Sequence, residues 1–93
     1  MKVTPDIIRY EFIGTEAKVT KSRHPGYVGI YGRIIDETRN TFTILHKGKR
    51  KIVLKDAAVF HFRLSEGTIV EVNGKLLVGK PEDRIKKRIR RLW

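Results

Sequence analysis

The chain has 93 residues, of which 40% are hydrophobic and none is Cys, and its 21 Lys and Arg against 10 Asp and Glu leave a formal charge of +11. That length allows one domain and excludes a two-domain enzyme, and the apolar fraction excludes a wholly disordered chain. The lack of Cys excludes disulfide staples, and apolar runs as short as Ala57-Ala58-Val59-Phe60 exclude a helical membrane span. Residues 80–93 hold seven cations and two acids, a net of +5, which leaves +6 on residues 1–79. The positive field therefore belongs to the body as well as to the tail, and it would attract phosphate polyanions. No apolar stretch follows Met1-Lys2-Val3, so no signal peptide is read. A soluble, cytoplasmic protein in a reducing setting is expected.

In chain order, Thr4-Pro5-Asp6 reads as a helix start, with a capping hydroxyl, Pro in the first turn and an acid at the positive end of the dipole. Ile7, Ile8 and Phe12 supply the apolar face of a helix over 4–12. Turn-bounded strand lengths then fill 13–79. A strand over Ile13–Thr20 sets Ile13, Ala17 and Val19 on one side. After the His24-Pro25-Gly26 loop, Val28–Ile35 sets Val28, Ile30 and Ile34 on one face, and the glycines at 29 and 32 mark a bend or a close backbone approach. Asp36–Asn40 is a turn and Thr41–Leu45 a strand. Lys47–Lys51 is a basic turn, followed by strands over Ile52–Leu54, Ala57–Leu64 and Thr68–Val72. Asn73-Gly74 carries the dipeptide of a type I′ hairpin into a further strand, Lys75–Val78. Six or seven short strands without crossover helices predict one mainly β domain, a small, strongly bent antiparallel barrel. Pro81, Glu82 and Asp83 then open a basic C-terminal helix over 81–92, with Ile85, Ile89 and Leu92 as its stripe.

Catalytic patterns are weak. His24, His46 and His61 lie 22 and 15 residues apart, and without Cys they form no local metal-ligand pair, so neither a metal site nor a cofactor is read. His46, beside Lys47, is the one candidate for acid-base cleavage of RNA, and contact with phosphate or solvent is its simpler reading. His61, between Phe60 and Phe62, should point away from both. The glycines fit neither a P-loop nor a dinucleotide fingerprint.

The basic clusters are more informative. Lys47, Lys49, Arg50 and Lys51 fill four of five positions around Gly48, and Arg84, Lys86, Lys87 and Arg88 crowd the tail helix. No helix-turn-helix pattern points to base reading in DNA, and the tail's apolar stripe is narrow for a membrane surface. Structured RNA, recognised by shape, phosphates and 2′-hydroxyls, fits better, with Tyr27, Tyr31 and Trp93 as candidate stacking or core aromatics. In Asp36-Glu37-Thr38-Arg39-Asn40-Thr41 the short polar side chains suit a well-capped turn, and its two acids would orient Arg39 or meet a cationic partner.

At this hexapeptide the chain resembles the archaeal ribonuclease P protein component 1 family, counterpart of the eukaryotic ribonuclease P and MRP subunit of 29 kDa. The resemblance rests on Gly29 through Thr41, Lys55 through Phe62, Gly67 through Val72 with Gly74, and Lys80-Pro81-Glu82-Asp83-Arg84, in the family's order. Lys80 stands where such proteins commonly carry Arg, keeping the charge without the bidentate geometry. The resemblance implies an Sm-like barrel flanked by terminal helices that builds no Sm-type ring. It also implies a noncatalytic subunit: the RNA removes the 5′ leader of precursor tRNA with its own Mg²⁺, while this protein and a zinc-ribbon ribonuclease P protein steady the RNA's specificity domain. Arg39, Lys47, Lys49, Arg50, Lys51, Arg84, Lys86, Lys87 and Arg88 are the expected RNA contacts, and Ile7, Ile8 and Phe12 the expected contacts to the protein partner. The alternatives are a general RNA chaperone or ribosome-associated barrel, and a nuclease using His46 or His24.

Overall fold

Two-residue alternation of apolar and polar side chains runs through the computed structural model, which describes residues 11–79. In β1 (Glu16–Ser22) Ala17 and Val19 are buried while Glu16 and Lys18 face solvent. The alternation is interrupted in the next three strands: β2 (Tyr31–Glu37) buries Ile34 and, past a register shift, Glu37, β3 (Thr41–His46) buries Phe42, Thr43 and Ile44 in succession, and β4 (Lys49–Leu54) buries Val53 alone. β5 (Ala58–Arg63) buries Phe60 and Phe62, and β6 (Ile69–Asn73) buries Val70 and Val72. Side chains of one parity point to one face of a strand, so a single core forms on one side of the sheet. Three 3-10 turns, Pro25–Tyr27, Lys55–Ala57 and Gly74–Leu77, make the remaining connections of defined shape.

The six strands form one antiparallel sheet in the order β4-β3-β2-β1-β5-β6. Its register shifts between Val19 and Lys21 and between Ile34 and Asp36, irregularities that add twist and bend the strands. Gly32 allows a close approach: a Cβ there would stand 2.0 Å from the Leu45 carbonyl oxygen. Phe12, Phe42, Phe60 and Phe62 meet in the concavity, Phe12 lying 4.2 Å from the Phe62 ring and Phe42 edge-on to Phe60 at 5.3 Å. Each contributes about 2–3 kcal/mol by burial, which makes this cluster the main support of a small domain without cross-links.

The mainly β class and the antiparallel pairing match the sequence reading, but several details differ. The ladder is open among the described residues, with β4 and β6 at its edges. The turn Lys55–Ala57 carries the chain from β4 to β5, and Gly74–Leu77 packs against it and sends Leu77 into the core at 0% exposure. That turn replaces the strand expected after Asn73-Gly74. Asn73 keeps an extended backbone and its Oδ1 accepts from Lys75 N at 3.0 Å, so it caps a 3-10 turn in place of a hairpin. The first strand starts at Glu16, not Ile13, and both Ile13 and Val28 are about half exposed. The expected helices over 4–12 and 81–92 lie outside the described residues, except for Glu11 and Phe12, which have no regular structure.

Candidate nucleic-acid interface

β3 and β4 pair up to His46 and Lys49, which leaves a two-residue turn of Lys47 at φ 52 and Gly48 at φ 80. Two consecutive left-handed residues make the type I′ hairpin that matches strand twist. The basic stretch is therefore part turn and part strand. Lys47 projects from the tip, while Lys49 and Lys51 leave one face of edge strand β4 and Arg50 the other, all four exposed. A lysine pays for this conformation, which Asn and Gly adopt readily. Lys47→Asn should therefore raise stability by about 0.5 kcal/mol, roughly 2–4 °C in Tm. Thermal melts of the two proteins check this, and a lower Tm in the variant would contradict it.

The Asp36–Thr41 segment is a turn held from within. Asp36 Oδ1 accepts from Glu37 N at 2.9 Å, and Thr41 N donates to Thr38 Oγ1 at 3.1 Å. Glu37 turns inward, away from Arg39, to meet Lys55, whose Nζ lies 2.6 Å from Glu37 Oε2 with both side chains almost wholly buried. The same ammonium donates to the carbonyl oxygens of Thr38 and Gly79, each at 2.8 Å, and reaches Arg39 O at 3.3 Å. It also stands 4.9 Å from the centre of the Phe42 ring. Two main-chain bonds complete the knot, Lys55 N to Asn40 O at 2.8 Å and Gly79 N to Arg39 O at 2.6 Å. A buried cation thus fixes the loop that presents exposed Arg39 to the point where the chain enters residues 80–93. Sequence reasoning missed Lys55 as a site residue, because an isolated Lys after an apolar strand carries no periodic signal and its acceptors come from segments 16 to 24 residues away.

Of the expected RNA contacts, Arg39, Lys47, Lys49, Arg50 and Lys51 are exposed, and none has a carboxylate within 4 Å among the described residues. Arg84, Lys86, Lys87 and Arg88 lie outside the described residues, as do Ile7 and Ile8. Phe12 is fully buried between Phe42 and Phe62, so it belongs to the core and does not present a partner-facing surface. His46 is held at the hairpin base, its Nδ1 2.9 Å from Tyr31 O and 3.2 Å from Tyr31 N. His61 points away from the core as expected, and its Nε2 meets Glu71 Oε1 at 2.8 Å. Tyr31 is half exposed with its ring edge-on to that of His46 at 4.9 Å, whereas Tyr27 packs against the core.

This arrangement, an open bent sheet with a basic hairpin at one edge and a lysine-centred knot beneath a conspicuous turn, can be compared with known proteins. A family model described as ribonuclease P/MRP, subunit p29, matches residues 5–87. The chain belongs to this family. It is similar to the ribonuclease P protein component 1 of Methanothermobacter thermautotrophicus, at 46% identity over 96% of this chain and 98% of that protein. Similarity to the component 1 proteins of Methanocaldococcus jannaschii and Pyrococcus furiosus is 43% over 98% of the chain and 46% over 92%, covering 97% and 68% of those proteins. A solved structure, Mth11, described as a homologue of human RNase P protein Rpp29, superposes with a TM-score of 0.60 at 45% identity, covering 81% of this chain and 97% of that one. Within the p29 family's span the knot around Lys55 joins two of the segments that carried the sequence resemblance, the Asp36–Thr41 turn and the stretch beginning at Lys55.

Proposed function

We propose that this chain is a noncatalytic, RNA-binding protein subunit of ribonuclease P that stabilises the catalytic RNA responsible for removing the 5′ leader from precursor tRNA. Membership of the p29 family supports the assembly. The observation that carries the RNA-binding part is the set of five exposed cations, Arg39, Lys47, Lys49, Arg50 and Lys51, that have no acid partner among the described residues. A cation already paired with a carboxylate gains little from a phosphate, whereas an unpaired one releases a condensed counterion and gains the full entropic benefit. Such side chains stand in for metal counterions where RNA strands approach, which lowers the Mg²⁺ that the RNA needs to fold. The tail residues Arg84, Lys86, Lys87 and Arg88 add four further cations to this reading. The zinc-ribbon ribonuclease P protein is the protein partner in this reading, met by Ile7 and Ile8, with the specificity domain of the RNA as the shared target and the cytoplasm as the setting.

Each neutralised phosphate contributes a slope of about −0.7 to −0.9 to log K against log salt, so these five cations account for about −3.5 to −4.5 and the four of the tail for about −2.8 to −3.6 more. Filter-binding titrations of the full chain with ribonuclease P RNA between low and moderate salt measure this directly. A nearly flat plot would remove the electrostatic basis of the proposal. Sequencing RNA that co-purifies with the chain separates the subunit reading, one dominant structured RNA, from a general chaperone, a broad mixture.

A further inference from the structure

A second cationic cleft lies away from the hairpin, where the end of β1, the start of β5 and the end of β6 meet. It is an open cleft of about 290 Å³ lined by Lys21, Ser22, Arg23, Asp56, Asn73 and Lys75 together with residues 57–59. Its walls are fixed by hydrogen bonds. Ser22 Oγ donates to Ala57 O at 2.8 Å, Arg23 N donates to the same oxygen at 3.2 Å, and Lys21 and Ser22 sit opposite Val59 and Ala58 in the ladder. Asn73 pairs with Val59 and commits its side-chain oxygen to Lys75 N, which leaves its amide nitrogen as a donor. Three cations thus share one small concave space with a single acid, Asp56, and none of the three has a carboxylate within 4 Å among the described residues.

We propose that this cleft binds a phosphodiester segment of the same RNA, with Lys21, Arg23 and Lys75 on its phosphate oxygens and the Asn73 amide as a neutral donor. The inference rests on the RNA-binding reading above and adds a contact remote from the hairpin and the tail. Three cations against one acid on a main-chain frame held by hydrogen bonds favour a polyanion over a neutral ligand, because the frame is ordered before binding and the like charges repel one another until an anion arrives. The dimensions suit one or two nucleotides of backbone. The cleft also has a mechanical link to the Arg39 turn. Asp56 and Ala57 line it from the same 3-10 turn whose Lys55 holds Thr38 and Arg39. One rigid turn therefore sets the distance between the two RNA contacts.

Hydroxyl-radical footprinting of the full chain on ribonuclease P RNA tests this. The triple variant Lys21→Ala, Arg23→Ala, Lys75→Ala should lose protection over one contiguous stretch of riboses. It should keep the stretch that a Lys49→Ala, Arg50→Ala, Lys51→Ala variant loses, and its salt slope should fall by about 2. Asp56→Asn, an exposed change that removes the lone acid, should tighten binding by about threefold. Unchanged protection in the triple variant, or uniform fading along the whole RNA, overturns the cleft as a contact while leaving the broader reading intact. So does looser binding in Asp56→Asn. No footprint from the unsubstituted chain overturns the RNA-binding reading itself, and the cleft proposal with it.

Discussion

Lys55→Met is expected to destabilise the protein by about 3–5 kcal/mol, the typical loss when one member of a buried ion pair is removed and the other stays. The methionine retains most of the aliphatic length but none of the hydrogen bonds. Lys55 is fully buried, and its ammonium serves Glu37 Oε2 and three main-chain carbonyls from Thr38, Arg39 and Gly79. Without it, an acidic side chain and three carbonyl oxygens would face one another in a site that water reaches poorly. In a domain of this size the loss corresponds to a fall of at least about 12 °C in Tm. The double variant Lys55→Met, Glu37→Gln should recover part of the loss, since it also removes the buried carboxylate that Lys55 faces. Denaturant melts of the wild type, the two single variants and the double variant give the coupling energy. Additive losses, or a single-variant loss below about 1 kcal/mol, would show that the knot is not a coupled unit.

Gly74→Ala is the second large effect, and its cause is steric. A Cβ on Gly74 would stand 1.8 Å from Lys55 O and 2.8 Å from Ala58 O, both main-chain atoms that cannot rotate away. Gly74 is not among the glycines with positive φ, so the backbone conformation itself suits alanine and only the contact excludes it. The two 3-10 turns would have to separate, withdrawing Leu77 from the core and pulling Gly79 from Arg39. A loss of about 3 kcal/mol or more is expected, at the upper end of overpacking penalties. Gly26→Ala is the matched control. Nothing lies within 4 Å of a Cβ at Gly26, and its φ is also outside the positive region, so it should be neutral or stabilising by up to about 1 kcal/mol. Similar melting temperatures for the two alanine variants would refute the close approach.

Both substitutions act on the Arg39 loop from a distance. If the proposed RNA-binding reading holds, affinity should fall with both even though neither residue is exposed, because the knot sets where Arg39 stands.

The misreading of Asn73-Gly74 is informative beside the hairpin at Lys47-Gly48. The Asn-Gly dipeptide is the strongest local hairpin signal, yet here Asn73 caps a 3-10 turn and Gly74 is needed for closeness to another segment. The true type I′ turn has Lys at its first left-handed position, a residue chosen against local preference. Local chemistry offers both sites the same conformation. The choice is made by what lies opposite each of them: an antiparallel partner strand at the first, the Lys55–Ala57 turn at the second.

The sequence by itself determined the mainly β class, the alternation that buries Ala17 with Val19 and Phe60 with Phe62, the outward turn of His61, and the excess of positive charge. These are properties of one strand's parity or of simple counting, and they do not depend on what the strand meets. Only the tertiary structure decided that the ladder stays open among the described residues, that Phe12 joins the core, that Glu37 turns inward to Lys55, and that Lys21, Arg23 and Lys75 share one cleft. Each of those depends on segments distant in the chain meeting at a few ångströms, and a hydrogen bond or a contact between such segments leaves no periodic trace in either of them.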